Sequence, residues 1–578
     1  MSERVERRFY RFGRFRLDPA GRVLFRGEGV VRLPPKAADT LLLLIQNAGN
    51  VVEKQDLLKQ VWQDAFVEEG SLTRTISILR KALQPAAHGQ KFISTIAKRG
   101  YRFTAAVTEI PAQPARSASE RLMIVVLPFE NLSGGKKHDY FSEGMTEEMI
   151  TRLARLNPER LGVIARTSAL QYKSTDKSVR QIGRELGLSH LLEGSVRRAG
   201  SRVRIAVQLI QVTDESHLWA ESYERNLGDV LTLQFEVAEA VAKEIQIKLA
   251  PQEQQRLTAT VNPQAYEAYL RGRYLLNRRT LESVQKSVQY FKQSIEHDPH
   301  YAVAFAGLAD SYLTHHDLGH LSPAEATTKA KDAARNALGM DESLAEAHTS
   351  LGHAHFHEFD WLAAARDFKR AIKLNPNYAN AHFYYANYLI AVGQKNEAIA
   401  EARRTLRLDP VSLPAATNLA AILFFAGHYA EAVEEALRVL EIDPSFARAY
   451  EDLGRAYEQQ GMYAQAIAAF EKAVEYSGRS SRDVASLAHA SAIAGRRRIA
   501  LNLLKELQDL SKKKYVSSYS FALVFAGLGN KSHALACLEK AYKARDGALP
   551  FINVNPRLAP LHSDNRFRDV VRRMNFPP

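Results

Sequence analysis

The chain has 578 residues, of which 46% are hydrophobic and 25% are charged, a composition typical of folded domains and not of a disordered polypeptide. Its length exceeds what one hydrophobic core serves and predicts several domains. The single cysteine, Cys537, excludes an intrachain disulfide and a metal site built on cysteines. The apolar runs are far shorter than the ~20 residues of a membrane-spanning helix. We therefore expect a cytoplasmic protein with no membrane partner.

Positive charge is concentrated near the N-terminus. The formal net charge is +14, and residues 1–110 hold 19 Lys and Arg against 11 Asp and Glu. More than half of the positive excess thus lies in less than a fifth of the chain. Because concentrated positive charge attracts polyanions, nucleic acid is the expected partner of this end.

The N-terminal elements follow a mixed α/β order. Residues 9–33 alternate apolar and polar around several glycines, which predicts a small antiparallel sheet. Three helices are predicted next, at 34–50, 53–62 and 71–83. The segment KFISTIAKRGYRF at 91–103 then predicts a hairpin with its turn near Gly100.

The third predicted helix has two different faces. Its apolar side chains recur at helical spacing and predict a buried face: Leu72, Ile76, Leu79 and Leu83. Its opposite face carries Thr73, Arg74, Ser77, Arg80 and Lys81. Taken singly, each charge is most simply a solvated surface group, but together the order of elements, the charge and the motif favour DNA binding.

This order of elements, ending in LRKAL and KRGYRF, resembles the OmpR/PhoB-type winged-helix DNA-binding domain, nearest to the CadC-like regulators that lack a receiver domain. The resemblance covers about residues 7–107. It implies that the third helix enters the major groove of double-stranded DNA, that the hairpin wing meets the minor groove, and that the loop at 63–70 can engage RNA polymerase.

The resemblance also implies roles for individual residues. Arg74 and Ser77 are expected nearest the bases, because arginine can read guanine edges. Side chains expected near backbone phosphates are Thr73, Arg80 and Lys81, and those expected in the wing are Lys98 and Arg99. For Arg80 a structural role through an acidic partner is the alternative.

A Pro/Ala/Ser-rich linker is predicted at 108–121, followed by a central α/β domain at 122–250. In this domain LMIVVLPF and LGVIA predict buried strands, and HDYFSEGMTEEMITRLARL at 138–156 predicts an amphipathic helix. Motifs such as VLPFENLSG and LLEGSVRRAG resemble the TolB N-terminal-like domain. A small-molecule sensor and a passive assembly module remain alternative roles for it.

Residues 260–578 repeat with a period that can be measured. Pro376, Pro410 and Pro444 are each 34 residues apart, and small residues recur at two fixed positions before each turn. This pattern resembles the tetratricopeptide repeat and predicts an α-solenoid. Stacked repeats offer a groove for an unknown protein or peptide partner; the alternative is that the array only joins protomers or spaces domains.

Histidines are concentrated in the first part of the array. They are His315, His316, His320, His348, His353, His355 and His357. His353 and His357 are four residues apart and share one helical face, which a metal site could use. Since neither cysteines nor an HExxH motif accompany them, packing is the favoured interpretation, and neither a metal nor a cofactor is predicted.

The predicted fold class is multidomain α/β plus all-α: an N-terminal winged helix-turn-helix, a central α/β domain and a C-terminal tetratricopeptide α-solenoid. The favoured function is a one-component bacterial transcriptional regulator that binds promoter DNA, and a homodimer on DNA would strengthen binding to short sites. The alternative is a non-catalytic scaffold protein whose winged helix no longer binds specific DNA. No catalytic arrangement is recognised, so an enzyme is not predicted.

Overall fold

The computed structural model of the protein describes residues 8–13, 15–19, 22–26, 29–31, 33–61, 69–83, 92–97, 99–111, 121–247, 261–317, 321–513 and 515–577. The chain divides into two compact units, Met1–Glu120 and Arg121–Pro578. Within the described residues, no helix is long and apolar enough to cross a membrane.

The first unit begins with an antiparallel sheet of order β4-β3-β2-β1-β8. Its strands are β1 (Arg8–Phe12), β2 (Phe15–Asp18), β3 (Val23–Arg26), β4 (Gly29–Val31) and β8 (Thr108–Pro111). The prediction of a sheet at 9–33 is confirmed. The fifth strand, β8, pairs with β1 and lies within the segment that we assign to the linker.

Three helices and a second sheet complete this unit. The helices are α1 (Pro35–Gln46), α2 (Lys54–Val61) and α3 (Glu69–Ala82). The sheet has the order β5-β7-β6, with β5 (Val51–Glu53), β6 (Ile93–Ile96) and β7 (Gly100–Phe103). Four phenylalanine rings pack in the core at centroid distances of 5.0–6.3 Å: Phe12, Phe15, Phe92 and Phe103. The core thus joins the first sheet to the hairpin.

The second unit begins with a mixed sheet of order β11-β9-β12-β13-β14, and β10 pairs with β12. Its strands are β9 (Leu122–Val126), β10 (Glu130–Asn131), β11 (Leu161–Val163), β12 (His190–Ala199), β13 (Arg202–Gln211) and β14 (His217–Asn226). Its helices are α4 (Asp139–Leu156), α5 (Arg166–Leu170), α6 (Val179–Leu186) and α7 (Val230–Glu244). The predicted strands and helix are all present, and β12 and β13 form an antiparallel hairpin.

Paired helices follow from residue 263 onward. They are α8 (Pro263–Leu276), α9 (Leu281–His297), α10 (Ala302–Asp317), α11 (Pro323–Met340), α12 (Ala345–His357), α13 (Trp361–Leu374), α14 (Ala379–Ala391), α15 (Lys395–Leu408), α16 (Leu413–Ala426), α17 (Tyr429–Ile442), α18 (Ala447–Gln459), α19 (Tyr463–Tyr476), α20 (Ser481–Ile493), α21 (Arg497–Ser511), α22 (Ser518–Gly527), α23 (Lys531–Lys543) and α24 (Asn565–Arg573).

Close helix approach explains the small residues in the repeat. A Cβ added to Gly352 would lie 2.7 Å from the ring of Phe368, and one added to Gly454 would lie 2.8 Å from the ring of Phe470. Each glycine lets the aromatic ring of the following helix contact the backbone. Gly352 and Gly454 are 102 residues apart, which is three periods of 34. The recurrence of the same contact at this separation shows that the 34-residue period is a packing period.

One hydrophobic core runs through the α/β region into the first repeats. It extends from Ile124 to Ala354, with members such as Phe141, Leu209 and Tyr266. Polar contacts reinforce the junction further along the array. The Asn377 amide donates to the backbone carbonyls of Ala154 and Leu161, at 2.8 and 2.9 Å. The α/β region and the repeats therefore form one structural unit.

Residues 545–576 fold back onto the first helices of successive pairs. Phe551 stacks on Phe425 of α16 at 5.1 Å and lies 6.0 Å from Phe356 of α12. Near the C-terminus, the Trp361 indole donates to the Met574 carbonyl at 2.7 Å. We call residues 545–576 the return segment.

Candidate nucleic-acid interface

The exposed face of α3 carries the residues predicted to contact DNA. The buried face is as expected, because Leu72, Ile76, Leu79 and Leu83 are at most 2% exposed. The exposed side chains include Thr73, Arg74, Ser77, Arg80 and Lys81. Spacings of three and four residues put neighbouring members on one side of the helix. The hydrophobic face thus fixes which side of α3 points to solvent.

Arg80 joins α3 to the hairpin. Its guanidinium donates to the Ile93 carbonyl through Nε at 3.3 Å and Nη2 at 3.1 Å, and Nη2 also donates to the Thr95 hydroxyl at 2.7 Å. These partners are a carbonyl and a hydroxyl of β6. The structural role predicted for Arg80 as an alternative to phosphate contact is therefore filled by neutral acceptors and not by an acidic partner. Arg80 therefore positions the wing strand relative to α3.

The hairpin of β6 and β7 forms the wing. Its turn is anchored to α2, because the Lys54 amide donates to the Arg99 carbonyl at 3.2 Å. Gly100 follows at the start of β7, where an added Cβ would lie 2.0 Å from the Val52 carbonyl oxygen. Only glycine therefore lets β5 pair this closely with β7, and the turn residue Arg99 is held with its side chain exposed.

Arg102 is a further basic side chain on the wing that sequence reasoning missed. It is exposed, between the buried residues Tyr101 and Phe103. The alternation of polar and apolar residues in GYRF is the signal that could have identified it. Lys98 and most of the loop at 63–70 lie outside the described residues.

Three kinds of family model match successive parts of the chain. Residues 27–103 match the transcriptional regulatory protein C-terminal domain, and residues 119–240 match the second domain of HilA/YgeH-like transcriptional regulators. Tetratricopeptide repeat models match residues 345–378, 368–400 and 417–481. The motifs of the middle region resemble the TolB N-terminal-like domain, whereas the matching model is named for HilA and YgeH.

Similar proteins include transcriptional regulators. The chain is 26% identical over 401 residues to the transcriptional regulator HilA of Salmonella typhimurium, covering 68% of this chain and 69% of HilA. It is 35% identical over 249 residues to a candidate adenylate cyclase 3 of Rhizobium meliloti, covering 42% of each chain. The chain therefore spans less than half of that relative and about two thirds of HilA.

Among solved structures, the DNA-binding domain of E. coli CadC is 27% identical, with a TM-score of 0.17 over 18% of this chain and all of that one. The family models and relatives confirm the predicted winged helix and repeats. The chain thus carries an OmpR/PhoB-type winged-helix domain and tetratricopeptide repeats, and its homologues include HilA-like transcriptional regulators.

Proposed function

We propose that this protein is a transcriptional regulator that binds promoter DNA in the cytoplasm through α3 and the wing. The observation that carries the proposal is the exposed polar and basic face of α3, braced against the wing by Arg80, within a segment that matches the regulatory-protein DNA-binding domain. A helix of this size fits the major groove, and a basic hairpin fits beside it.

In this proposal the residues of the interface have different roles. Arg74 and Ser77 contact base edges, while Thr73, Lys81, Lys98, Arg99 and Arg102 contact the DNA backbone or the minor groove. Phosphate contacts contribute affinity without sequence information, so sequence preference depends on Arg74 and Ser77. Two copies pairing on DNA, and the loop at 63–70 contacting RNA polymerase, belong to the same proposal and rest on the family resemblance.

The proposal is tested by recovering genomic DNA fragments with the purified full chain at two salt concentrations and sequencing them. A recurring motif that survives the higher salt is expected. The variant Arg74→Ala/Arg99→Ala should lose about 1–3 kcal/mol of binding free energy through the base contact of Arg74, and a further, salt-dependent part through the backbone contact of Arg99. A control that removes the same charge elsewhere on the unit, Arg11→Ala/Lys59→Ala, should bind almost as well as the unchanged protein.

Equal losses of affinity in both variants would show that only net charge matters, and no recovery at either salt would favour the scaffold alternative.

We also propose that the protein acts by binding and not by catalysis, which the HilA relatives support. The candidate adenylate cyclase among the relatives supplies the test. Incubation of the full chain with ATP and Mg²⁺ should form no cyclic AMP.

A further inference from the structure

Three side chains that can bind a metal converge where α10 ends against α12. His316 and Asp317 are the last residues of α10, and His357 is the last residue of α12. One ligand atom from each of the three lies within 4.8 Å of the other two. The return segment passes the same place, because a Cβ added to Gly547 would lie 3.5 Å from His316 Nε2 and 4.0 Å from His357 Nδ1.

The hydrogen bond of His316 determines where its lone pair lies, and that of His357 is compatible with a lone pair on Nδ1. His316 Nδ1 is 3.1 Å from the Leu321 carbonyl. Because a carbonyl only accepts, Nδ1 carries the proton and Nε2 presents its lone pair beside Gly547. His357 Nε2 is 3.0 Å from His353 Nε2. With the proton on His357 Nε2, that atom donates to His353, and the lone pair of His357 lies on Nδ1.

His357 Nδ1 is buried, and among the described residues it has no hydrogen-bond partner. A buried polar atom without a partner is unfavourable, and a bound cation would satisfy it. Packing alone leaves this atom unsatisfied.

Two other histidines of α12, His348 and His355, lie beside carboxylates. Their Nδ1 atoms are also buried without a hydrogen bond among the described residues, but that of His348 faces Asp367 and that of His355 lies 3.8 Å from Glu358. His348 Nε2 is 3.2 Å from the Glu342 carbonyl, and its Nδ1 is 3.7 Å from an Asp367 carboxylate oxygen. His355 Nε2 is likewise 3.8 Å from Asp367. In contrast, His357 faces two other imidazole rings, with centroid distances of 5.0 Å to His316 and 4.8 Å to His353.

We propose that His316, Asp317 and His357 bind one divalent transition-metal ion of the zinc type. Two imidazole nitrogens and one carboxylate oxygen are ligands that zinc accepts, whereas Mg²⁺ and Ca²⁺ prefer oxygen alone. His353 positions His357 through the bond between their Nε2 atoms. The ion would connect α10 to α12 beside Gly547 and so stabilise the repeats at the point where the return segment meets them.

The test uses the full chain, stripped with a chelator and dialysed against Zn²⁺, with bound zinc counted by mass spectrometry. We expect one zinc ion per chain and a rise in melting temperature. His357→Ala should weaken zinc binding at least tenfold, and so should Asp317→Asn. Asp317→Asn keeps the size of a partly exposed side chain, so it leaves no cavity that could impair folding. His348→Ala, on the same helix, is the matched control and should bind zinc normally.

Three results would overturn the proposal. One is a chain that binds no zinc at micromolar concentration. The second is equal zinc binding by the unchanged chain, Asp317→Asn and His357→Ala, and the third is an equal decrease in His348→Ala. Either of the last two would assign the zinc to other side chains. Circular dichroism of each stripped variant establishes that it is folded before zinc is added.

Discussion

The guanidinium of Arg80 holds α3 against the wing. This geometry gives Arg80 a role in positioning the wing, which differs from the phosphate contact that the sequence predicted for it. Both of its acceptors, the Ile93 carbonyl and the Thr95 hydroxyl, belong to β6. Arg80→Ala should therefore lower the stability of the winged-helix unit by roughly 1 kcal/mol. It should also weaken DNA binding, because the wing is no longer held in register with α3.

Salt dependence distinguishes the two roles of Arg80. Each lysine or arginine that neutralises a phosphate contributes about 1 to the slope of log affinity against log salt. A positioning role predicts weaker binding by Arg80→Ala with an unchanged slope, measured by fluorescence anisotropy on a recovered DNA motif. Lys81→Ala is the neighbouring comparison and should reduce the slope. If Arg80→Ala also reduced the slope, Arg80 would contact a phosphate, and the positioning role alone would be wrong.

Single residues also show where sequence reasoning was sufficient. The buried face of α3 could be predicted because four apolar side chains recur at helical spacing, and they are buried as expected. The partner of Arg80 could not be predicted. The hydrophobic pattern of the sequence does not indicate how the residues between α3 and β6 bring the two elements together. Arg102 was overlooked, although the alternation in GYRF carries the needed signal.

At the scale of elements, long helices with a periodic pattern could be predicted from the sequence, whereas the pairing of short strands could not. The helices α1 and α3 have clear starts and faces. The strands β5 and β8 are only three and four residues long, and each exists because a partner strand lies beside it. Such strands depend on tertiary contacts, which local periodicity does not contain.

The docking of α8 onto β12 depends on one carboxylate. Glu267 accepts hydrogen bonds from Arg198 at 2.8 Å, Tyr140 at 2.7 Å and Arg271 at 2.9 Å. Burial alone would raise the pKa of Glu267, but these donors lower it to about 2. An unfolded glutamate titrates near pH 4.3. The unfolded chain therefore binds more protons between these values, and stability falls as the pH drops from about 5 to about 2.

Glu267→Gln should remove this part of the pH dependence and lower the free energy of unfolding at pH 7 by about 1–3 kcal/mol. Urea unfolding of the full chain at pH 7 and pH 3 measures both effects. Glu282→Gln is the control, because Glu282 pairs with Lys286 on the exposed face of α9 and should matter little. An unchanged pH dependence in Glu267→Gln would assign the acid sensitivity to other groups.

At the scale of the whole molecule, the return segment covers part of the repeat surface that a partner could use. The sequence predicted stacked repeats, but the return segment lies against their first helices from α12 to α22, through contacts such as Phe551 with Phe356 and Asn555 with Tyr519. Its sequence is irregular, so no period indicated where it would lie. A peptide partner that used the surface beneath it would have to displace the return segment.

A buried ion pair holds the middle of the return segment. Arg557 and Glu458 are 4% and 3% exposed, and Arg557 Nε lies 3.2 Å from Glu458 Oε1. Burial alone would raise the pKa of Glu458, but Arg557 and His489 hold it below its ordinary value. Arg557 also donates to the Ser486 hydroxyl and carbonyl, at 3.3 and 3.4 Å. The charge of Glu458 therefore depends on a residue of the return segment.

Arg557→Met should destabilise the second unit by about 3–5 kcal/mol, because it leaves the Glu458 carboxylate buried without its cation. Arg557→Met/Glu458→Gln should cost less than Arg557→Met alone, since the uncompensated charge is removed with its partner. Urea unfolding followed by tryptophan fluorescence gives both values, and Trp361, which contacts Met574, reports on the end of the segment. A double variant no more stable than Arg557→Met would mean that packing, and not charge pairing, holds the return segment in the groove.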